Sequence, residues 1–281
     1  MLLKEYKNNF IQTLSHWYDR AEAERFFYMA LEELKGWKRV DLAMKPEECL
    51  TDDEKEQWDF VLLALRQQRP IQYIFGKAFF MGLEFAVNQN TLIPRPETEE
   101  LVELIIAAHS GKKIKILDIG TGSGCIAISL AKMLPESEVW ALDVSEGALA
   151  TAQKNADANG VQVTFMQQDI LALKQLPERF DVIVSNPPYV RELEKAEIKA
   201  NVMEYEPHSA LFVPDTNPLL FYKKIAKLAL KNLTEGGMLY FEINQYLGPE
   251  TRWMVENTGF TNVLLKKDLF GNNRIVSAVK P

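Results

Sequence analysis

The chain has 281 residues, of which 47% are hydrophobic, and it carries a formal net charge of −7. This length allows two domains of ordinary size, and the acidic balance argues against general binding to duplex nucleic acid, which needs a basic surface. The two cysteines, Cys49 and Cys125, lie far apart in the sequence, which fits a reduced compartment better than a disulfide scaffold. No apolar run reaches about 18 residues, and charges begin at Lys4, so we expect a cytoplasmic protein with neither a membrane span nor a signal peptide.

Helical periodicity dominates residues 1–75. Phe10, Leu14 and Trp17 recur at intervals of four and three residues, so they share one apolar face of a helix. Thr51 precedes three acidic residues, which is typical of a helix N-terminus because threonine caps the first amides and the helix dipole favours negative charge there. We predict a small helical bundle over this segment.

Between residues 76 and 93 the periodicity becomes alternating. Apolar residues fall at every second position: Phe79, Met81, Leu83, Phe85 and Val87. This spacing favours a β-hairpin, which we predict as the linker to a third segment, residues 94–281. Pro94-Arg95-Pro96 makes a rigid break at the start of that segment, and a helix is predicted over residues 97–108.

A glycine-rich turn follows the next predicted strand, residues 113–117. It reads Asp118-Ile119-Gly120-Thr121-Gly122-Ser123-Gly124 and leads into an apolar helix over residues 125–133. Glycines at alternate positions let the backbone turn sharply and approach a ligand closely. Their spacing matches neither the dinucleotide-binding G-x-G-x-x-G nor a P-loop, so the turn alone does not identify its ligand.

Each of the following two predicted strands leads to an acidic residue. The strand over residues 138–142 ends in Asp143, about 20 residues after the glycines, where doubly wound folds place a ribose-binding carboxylate. The strand over residues 161–165 leads to Asp169. Either aspartate alone could equally be a helix cap or a turn residue. Their order after successive strands favours one shared ligand cleft.

The tetrapeptide Asn186-Pro187-Pro188-Tyr189 follows a buried strand over residues 180–185. Two prolines cannot continue a central strand, because proline lacks the N–H that the ladder needs. The tetrapeptide is therefore expected at the carboxyl end of its strand, where open α/β sheets bind ligands. The asparagine oxygen and a proline-stiffened carbonyl offer two acceptors beside an aromatic ring. They suit a planar amino group, such as an amide or the exocyclic amine of a base, and a plain Asn-Pro turn is the alternative.

The rest of the pattern is typical of a doubly wound parallel sheet. Strands and helices alternate, and a long helix over residues 219–233 precedes a strand over residues 238–243. The last two predicted strands, residues 263–265 and 275–279, lie too close together for a helical crossover. We therefore expect them to pair antiparallel.

In this order, the glycine turn, the two aspartates and the tetrapeptide resemble class I S-adenosylmethionine-dependent methyltransferases that methylate amino groups. Further motifs resemble the protein-(glutamine-N5) methyltransferases of peptide chain release factors, the HemK/PrmC family. These motifs are Pro70-Ile71-Gln72-Tyr73-Ile74-Phe75-Gly76, Phe80-x-Gly82-x-x-Phe85-x-Val87, Leu92-Ile93-Pro94-Arg95-Pro96-Glu97-Thr98-Glu99, Glu204-Tyr205-Glu206-Pro207-x-x-Ala210-Leu211 and Asp268-x-x-Gly271-x-x-Arg274. Two places depart from the family: Asn244 replaces a usual glycine, and residues 212–218 replace a glycine-containing stretch.

The resemblance implies a fold, a cofactor and a reaction. The fold is a doubly wound, Rossmann-like α/β methyltransferase sheet of seven strands, with the small N-terminal helical bundle domain and the β-hairpin linker before it. The cofactor is S-adenosyl-L-methionine, which leaves as S-adenosyl-L-homocysteine. The reaction methylates N5 of a glutamine in the Gly-Gly-Gln motif of class I release factors and supports translation termination. Residues 1–75 would then recognise the release factor, and we expect a monomer.

The resemblance also implies site residues. Cofactor binding is assigned to the glycine turn and to strand ends, namely Gly120, Thr121, Gly122, Ser123, Gly124, Asp143, Asp169, Ile170, Leu171 and Asn186. Catalysis and substrate binding are assigned to Asn186, Pro187, Pro188 and Tyr189. The Asn186 oxygen and the Pro187 carbonyl would accept both N–H groups of the glutamine amide, and Tyr189 would pack against the amide plane. No metal site is expected, because the three histidines are scattered along the chain.

Three other functions share parts of this pattern. An enzyme that methylates a ribosomal-protein glutamine would carry the same tetrapeptide but differ in its N-terminal domain. An adenine-N6 DNA methyltransferase would suit the tetrapeptide too, but it flips its base and needs a basic recognition region that this acidic chain lacks. A binding module without catalysis would have no need for the intact tetrapeptide.

Overall fold

The computed structural model describes residues 1–281, which divide into two compact units. One unit comprises Met1–Gly76 with Ala200–Tyr205, and the other comprises Lys77–Lys199 with Glu206–Pro281. The roles assigned above to segments 1–75, 76–93 and 94–281 stay predictions. No helix of the chain combines the length and the apolar character needed to cross a membrane.

Eleven helices and eleven strands follow one another along the chain. In chain order they are α1 (Leu3–Leu14), α2 (Arg20–Lys35), α3 (Arg39–Met44), α4 (Asp52–Arg66), α5 (Ile71–Phe75), β1 (Lys77–Phe80), β2 (Leu83–Ala86), α6 (Pro96–His109), β3 (Lys115–Ile119), α7 (Cys125–Met133), β4 (Glu138–Asp143), α8 (Glu146–Asn159), β5 (Thr164–Gln167), β6 (Phe180–Ser185), β7 (Val190–Arg191), α9 (Ala200–Tyr205), β8 (Phe212–Val213), α10 (Leu220–Asn232), β9 (Leu233–Glu242), α11 (Gly248–Thr258), β10 (Thr261–Lys267) and β11 (Asn273–Val279).

The first unit is helical, as predicted. Trp58 is completely buried and stacks on Phe27 with 4.8 Å between the ring centroids. Thr51 caps α4, since its hydroxyl oxygen accepts a hydrogen bond from the Glu54 amide at 3.2 Å. Trp17, predicted on the apolar face of the first helix, lies beyond the end of α1 and is 41% exposed. That part of the helical pattern was wrong, because α1 ends at Leu14 before a turn.

The second unit begins with the hairpin of β1 and β2, which confirms the predicted alternation. Its two-residue turn consists of Met81 and Gly82, both with positive φ (52° and 73°). Turns of this kind suit a hairpin because their twist matches that of the flanking strands. The amide of Met81 donates to the Glu99 carboxylate of α6 at 2.5 Å, so the hairpin is fixed to the first helix of the core.

A seven-stranded sheet forms the centre of the second unit, in the order β10-β11-β9-β6-β3-β4-β5. β11 runs antiparallel to both of its neighbours, and the other pairs are parallel. The doubly wound α/β fold and the antiparallel final pair are thus confirmed. The third core strand was misplaced, because β5 begins at Thr164 and Val161 still donates back to the Ala156 carbonyl as part of the end of α8.

Helices cover both faces of this sheet. One apolar core contains buried residues of α6 and α7, among them Leu101 and Ile126, packed on one face. The other core contains residues of α10 and α11, among them Ile225 and Val255. Such a three-layer arrangement buries both faces of the parallel strands and leaves the strand ends for ligand binding.

The strand order reverses between β3 and β6, and this point positions the site. The chain passes from β3 outward to β4 and β5, and then returns to place β6 on the other side of β3. Ile119 of β3 pairs with Ser185 of β6, so both strands end at the same level. The glycine turn and the tetrapeptide, which follow these two residues directly, are therefore neighbours at a crevice of the kind that binds ligands in open α/β sheets.

Candidate active site

A cleft opens at the carboxyl ends of the parallel strands and encloses about 1060 Å³, including its open mouth. Ten of the residues assigned to the site from the sequence line it: Gly120, Thr121, Gly122, Ser123, Asp143, Asp169, Ile170, Asn186, Pro187 and Pro188. Three do not line it, namely Gly124, Leu171 and Tyr189. The structure thus brings together residues from four strand ends that are up to 68 positions apart in sequence (188 − 120).

The glycine turn has φ angles of +76°, +57° and +83° at Gly120, Gly122 and Gly124, a conformation that other residues adopt only with strain. Gly124 serves packing. A Cβ there would lie 2.7 Å from Ile128 Cδ1 and 3.1 Å from Ala152 Cβ. The missing side chain therefore lets α7 and α8 approach each other behind the cleft wall.

Asp143 at the end of β4 is bonded to the glycine turn. One carboxylate oxygen accepts from the Gly122 amide and the other accepts from the Ser145 amide, both at 2.9 Å. Each carboxylate oxygen has a second lone-pair direction for a ligand. Asp169 is exposed, and it accepts from the Leu171 amide at 2.8 Å. Leu171 itself packs against the apolar core.

Asp118 belongs to the glycine motif but was not among the predicted site residues. It is buried under the turn with 0% exposure. Its Oδ2 accepts from the Thr121 hydroxyl at 2.6 Å, and its Oδ1 has no partner. Burial raises the pKa of Asp118 to about 7; the Thr121 hydrogen bond opposes this rise and the negative charge of Asp143 adds to it. The Asp143 carboxylate in the cleft wall, with the buried Asp118 beneath the turn, favours a cationic ligand. A sulfonium cofactor with a free ammonium group fits that requirement.

The tetrapeptide forms the opposite wall. The Asn186 amide nitrogen donates to the Thr98 hydroxyl oxygen at 3.4 Å, so the side-chain oxygen is the edge of the amide left for a ligand. Pro187 is buried and lines the cleft with Pro188. The Tyr189 hydroxyl donates to the Glu242 carboxylate at 3.2 Å, and Glu242 also accepts from the Thr98 hydroxyl at 2.6 Å.

Two further segments line the cleft, although the sequence assigned them no role. The first contributes Asn90 and residues 92–95, and the second contributes Pro207, Ser209 and Ala210. Glu206, only 3% exposed, joins them: it forms an ion pair with Arg95 and accepts from the Ile93 amide at 3.1 Å. Both segments contain motifs quoted above for the family resemblance, and those motifs were the signal available in the sequence.

The two departures from the family pattern lie close to this wall. Asn244 is 5% exposed, and its amide nitrogen donates to the Tyr189 carbonyl at 3.0 Å and to a Glu194 carboxylate oxygen at 2.9 Å. It therefore fixes the backbone that follows the tetrapeptide. Residues 212–213 form β8, which pairs parallel with β7 directly after the tetrapeptide.

Cys125 lines the cleft, and its side chain is a protonated thiol at neutral pH. Burial raises its pKa to about 12, and the charge of Asp118 adds to the rise. No group of three or more His, Cys, Asp or Glu side chains is arranged to hold a metal ion.

Comparison with known proteins identifies the family. A model of the methyltransferase small domain matches residues 97–208, and a model of the PrmC N-terminal domain matches residues 9–76. The release factor glutamine methyltransferase of Flavobacterium psychrophilum is 58% identical and covers 98% of each chain. That of Bacteroides thetaiotaomicron is 44% identical over 95% of this chain and 96% of its own. This chain belongs to the release factor glutamine methyltransferase family.

Family membership confirms the resemblance and makes the chain an S-adenosylmethionine-dependent methyltransferase. The fold agrees with that assignment. The crystal structure of a methyltransferase from Pyrococcus furiosus superposes with a TM-score of 0.55 at 20% identity, covering 77% of this chain and 98% of that one. The cleft described above is therefore the candidate active site of a member of this family.

Proposed function

We propose that this protein transfers a methyl group from S-adenosylmethionine to the side-chain nitrogen N5 of a glutamine in a class I release factor, within its Gly-Gly-Gln motif. The relatives named above act on a release factor glutamine. The observation that supports the reaction most directly is the position of Asn186 and Pro187 in the wall of the cleft, across the strand-order reversal from the glycine turn.

The cofactor supplies an electrophilic methyl group on a sulfonium centre. The backbone of the glycine turn, Asp143 and Asp169 would hold it, because they line the other side of the same cleft. The negative charge of Asp143 and of any ionised Asp118 would stabilise the bound cation. These residues act by binding, and none of them needs to transfer a proton.

The acceptor wall prepares the nucleophile. An amide nitrogen is a poor nucleophile because its lone pair is delocalised into the carbonyl. The Asn186 side-chain oxygen and the Pro187 carbonyl would accept its two hydrogens, which orients the nitrogen and makes the lone pair available. Transfer leaves a cationic, strongly acidic amide that loses its proton afterwards, so catalysis rests on positioning. Tyr189, which does not line the cleft, would support this wall through its hydrogen bond to Glu242.

A methylation assay tests this function. Purified protein is incubated with S-adenosylmethionine labelled in the methyl group and with a release factor, and mass spectrometry locates the label. We expect one methyl group on the glutamine of Gly-Gly-Gln and none on a factor in which that glutamine is replaced by alanine. Label on a ribosomal protein or on DNA adenine instead, with the release factor unlabelled, would overturn the proposal.

The helical first unit is proposed to recognise the release factor, since a single glutamine loop offers little of the 1,200–2,000 Å² or so that specific complexes bury. Phe60 and Leu63 of α4 are 58% and 52% exposed, although both are large and apolar. Replacing both by alanine should raise KM for intact release factor by about 10-fold or more and leave KM for a short glutamine peptide unchanged. Equal changes for both substrates would contradict this role.

We further propose that the protein is a cytoplasmic monomer without affinity for duplex nucleic acid.

A further inference from the structure

One buried carboxylate holds both ends of the catalytic tetrapeptide. Glu242, at the end of β9, is 1% exposed, and each of its oxygens accepts one side-chain hydroxyl. Oε2 accepts from Thr98 of α6 at 2.6 Å, and Oε1 accepts from Tyr189 at 3.2 Å. Since Thr98 in turn contacts the Asn186 amide nitrogen, the first and last residues of the tetrapeptide depend on the same group.

The direction of these hydrogen bonds determines how the Asn186 amide is oriented. Thr98 donates its single hydroxyl hydrogen to Oε2 of Glu242. The Thr98 oxygen can then only accept from its other neighbour, and the side-chain group of Asn186 that can donate is its NH2. The nitrogen of the amide must therefore face Thr98, and the oxygen must form the opposite edge.

Several charged and polar groups act on Glu242. Its pKa is raised, because burial outweighs the lowering effects of the hydrogen bonds from Thr98 and Tyr189 and of the positive charge of Arg274. Arg274 is held in place by the buried Asp268 carboxylate at 3.0 Å. Each oxygen of Glu242 thus has a donor, and a cation is near, which is the setting that a buried carboxylate requires.

We propose that Glu242 and Thr98 are positioning residues for methyl transfer, which keep the Asn186 side-chain oxygen turned toward the acceptor nitrogen. Neither residue needs to touch the reacting atoms. The inference rests on the proposed function, because it assigns the acceptor role to the Asn186 oxygen. Without the Thr98 hydroxyl, the amide could rotate and present its NH2 to the N–H groups of the substrate, which would repel them.

Paired variants of Thr98 separate positioning from packing. Thr98→Val keeps the shape and removes the hydroxyl, and Thr98→Ser keeps the hydroxyl. We expect Thr98→Val to lower kcat for release factor at least 10-fold, with little change in KM or in cofactor affinity, and Thr98→Ser to restore most of the rate. Tyr222→Phe is the matched control. It removes an equally buried hydroxyl, which donates to the Glu242 backbone carbonyl at 3.1 Å, and should leave kcat unchanged.

A double-mutant cycle shows whether Thr98 acts through Asn186. In an Asn186→Ala background, Thr98→Val should cause no further loss of kcat, because no amide remains to be oriented. Glu242→Met, which removes both acceptor oxygens, should behave like Thr98→Val in both backgrounds.

Three results would overturn the inference: an unchanged kcat in Thr98→Val, an equal loss in the Asn186→Ala background, or a failure of serine to restore the rate. The wild-type assay keeps this failure distinct from failure of the proposed function, since in the latter case the wild-type protein itself would not methylate the release factor glutamine.

Discussion

The two halves of the cleft are built by different kinds of contact. In the cofactor half, defined as residues 118–124 with Asp143 and Asp169, the carboxylates bond mainly to residues close in sequence. Thr121 bonds to a residue three positions away, and Asp169 to one two positions away. The bond from Gly122 to Asp143 spans 21 positions, and the two longer side-chain bonds, from Asn155 and Ser185, reach backbone carbonyls of this segment. This half is a local turn supported by its neighbouring strand.

The acceptor half, defined as Thr98, residues 186–189 and Glu242, depends on long-range contacts. Thr98 and Glu242 are 144 positions apart, and Tyr189 and Glu242 are 53 apart. Each side chain is held by a residue from a different helix or strand. We therefore expect substitutions in the cofactor half to change binding or stability, and substitutions in the acceptor half to change the rate of transfer.

The largest effect is expected for Asn186→Ala. Loss of one positioned polar group in an active site typically costs about 100-fold or more in kcat, and cofactor affinity should change little. Kinetics with release factor and calorimetry with S-adenosylmethionine measure the two quantities. Asn186→Asp keeps an oxygen acceptor but removes the NH2 that contacts Thr98. Its kcat should therefore lie between that of the wild-type protein and that of Asn186→Ala. A fully active alanine variant would remove Asn186 from catalysis and with it the distinction between the halves.

A pH effect on stability should come from the cofactor half. Asp118 has a pKa of about 7 in the folded protein, above the value of about 3.9 in an unfolded chain. The folded state binds this proton more tightly, so the contribution of Asp118 is complete below about pH 4 and is lost as pH rises through about 7. The free energy of unfolding should fall by a few kcal/mol at most, since one pKa unit corresponds to about 1.4 kcal/mol.

Urea unfolding of the cofactor-free protein across this range, with Asp118→Asn as the comparison, measures the effect. The variant cannot titrate at this position and should show a flatter dependence on pH. The same slope in both proteins would show that Asp118 does not carry a raised pKa.

Asp143→Ala should weaken cofactor binding by about 1–3 kcal/mol, the scale for losing a charged acceptor and leaving its donors unpaired. Two amide groups, those of Gly122 and Ser145, lose their acceptor in this variant. Asp143→Asn retains one carbonyl oxygen and should lose less. Calorimetry measures the affinity of both variants for S-adenosylmethionine, and an unchanged affinity in the alanine variant would exclude Asp143 from the binding site.

The last comparison concerns the stability cost of alanine at two glycines that have similar backbone conformations. Gly124 and Gly160 have φ of +83° and +65°, but only at Gly124 would a Cβ meet other atoms, with Ile128 Cδ1 at 2.7 Å. Alanine at Gly160 should cost about 1–2 kcal/mol of left-handed strain. Alanine at Gly124 should cost about 1–3 kcal/mol more from overpacking. Equal losses in thermal or urea unfolding would show that α7 can move to accept the methyl group.

The same contrast explains what the sequence could predict. The glycine turn, Asp143 and the tetrapeptide each follow a strand, and the ends of parallel strands meet at one edge, so local patterns placed them in one cleft. Thr98, Glu242 and the Glu206 ion pair could not be placed that way. Their partners lie 53 or more positions away (189 to 242, 98 to 186, and 95 to 206), and nothing in a local pattern shows which helix face meets which strand end.

Local patterns also failed at element ends. Val161 and Val163 have strand-forming side chains, yet the Val161 amide still bonds to the end of α8, and β5 starts only at Thr164. Hydrogen bonding at the helix end outweighed side-chain preference, which is a weak guide over a few residues.

The single reversed strand of the sheet decides where the end of the chain lies. β11 starts beside the cleft, where Ile275 pairs with Glu242, and runs away from it until Val279 pairs with Met238. Over these five residue pairs the backbone travels roughly 13 Å, so Pro281 emerges at the edge of the sheet opposite the substrate opening. A fluorescent label, an affinity tag or a surface linker joined to Pro281 is thus carried on the far side. It can report on or immobilise the enzyme without occupying the cleft.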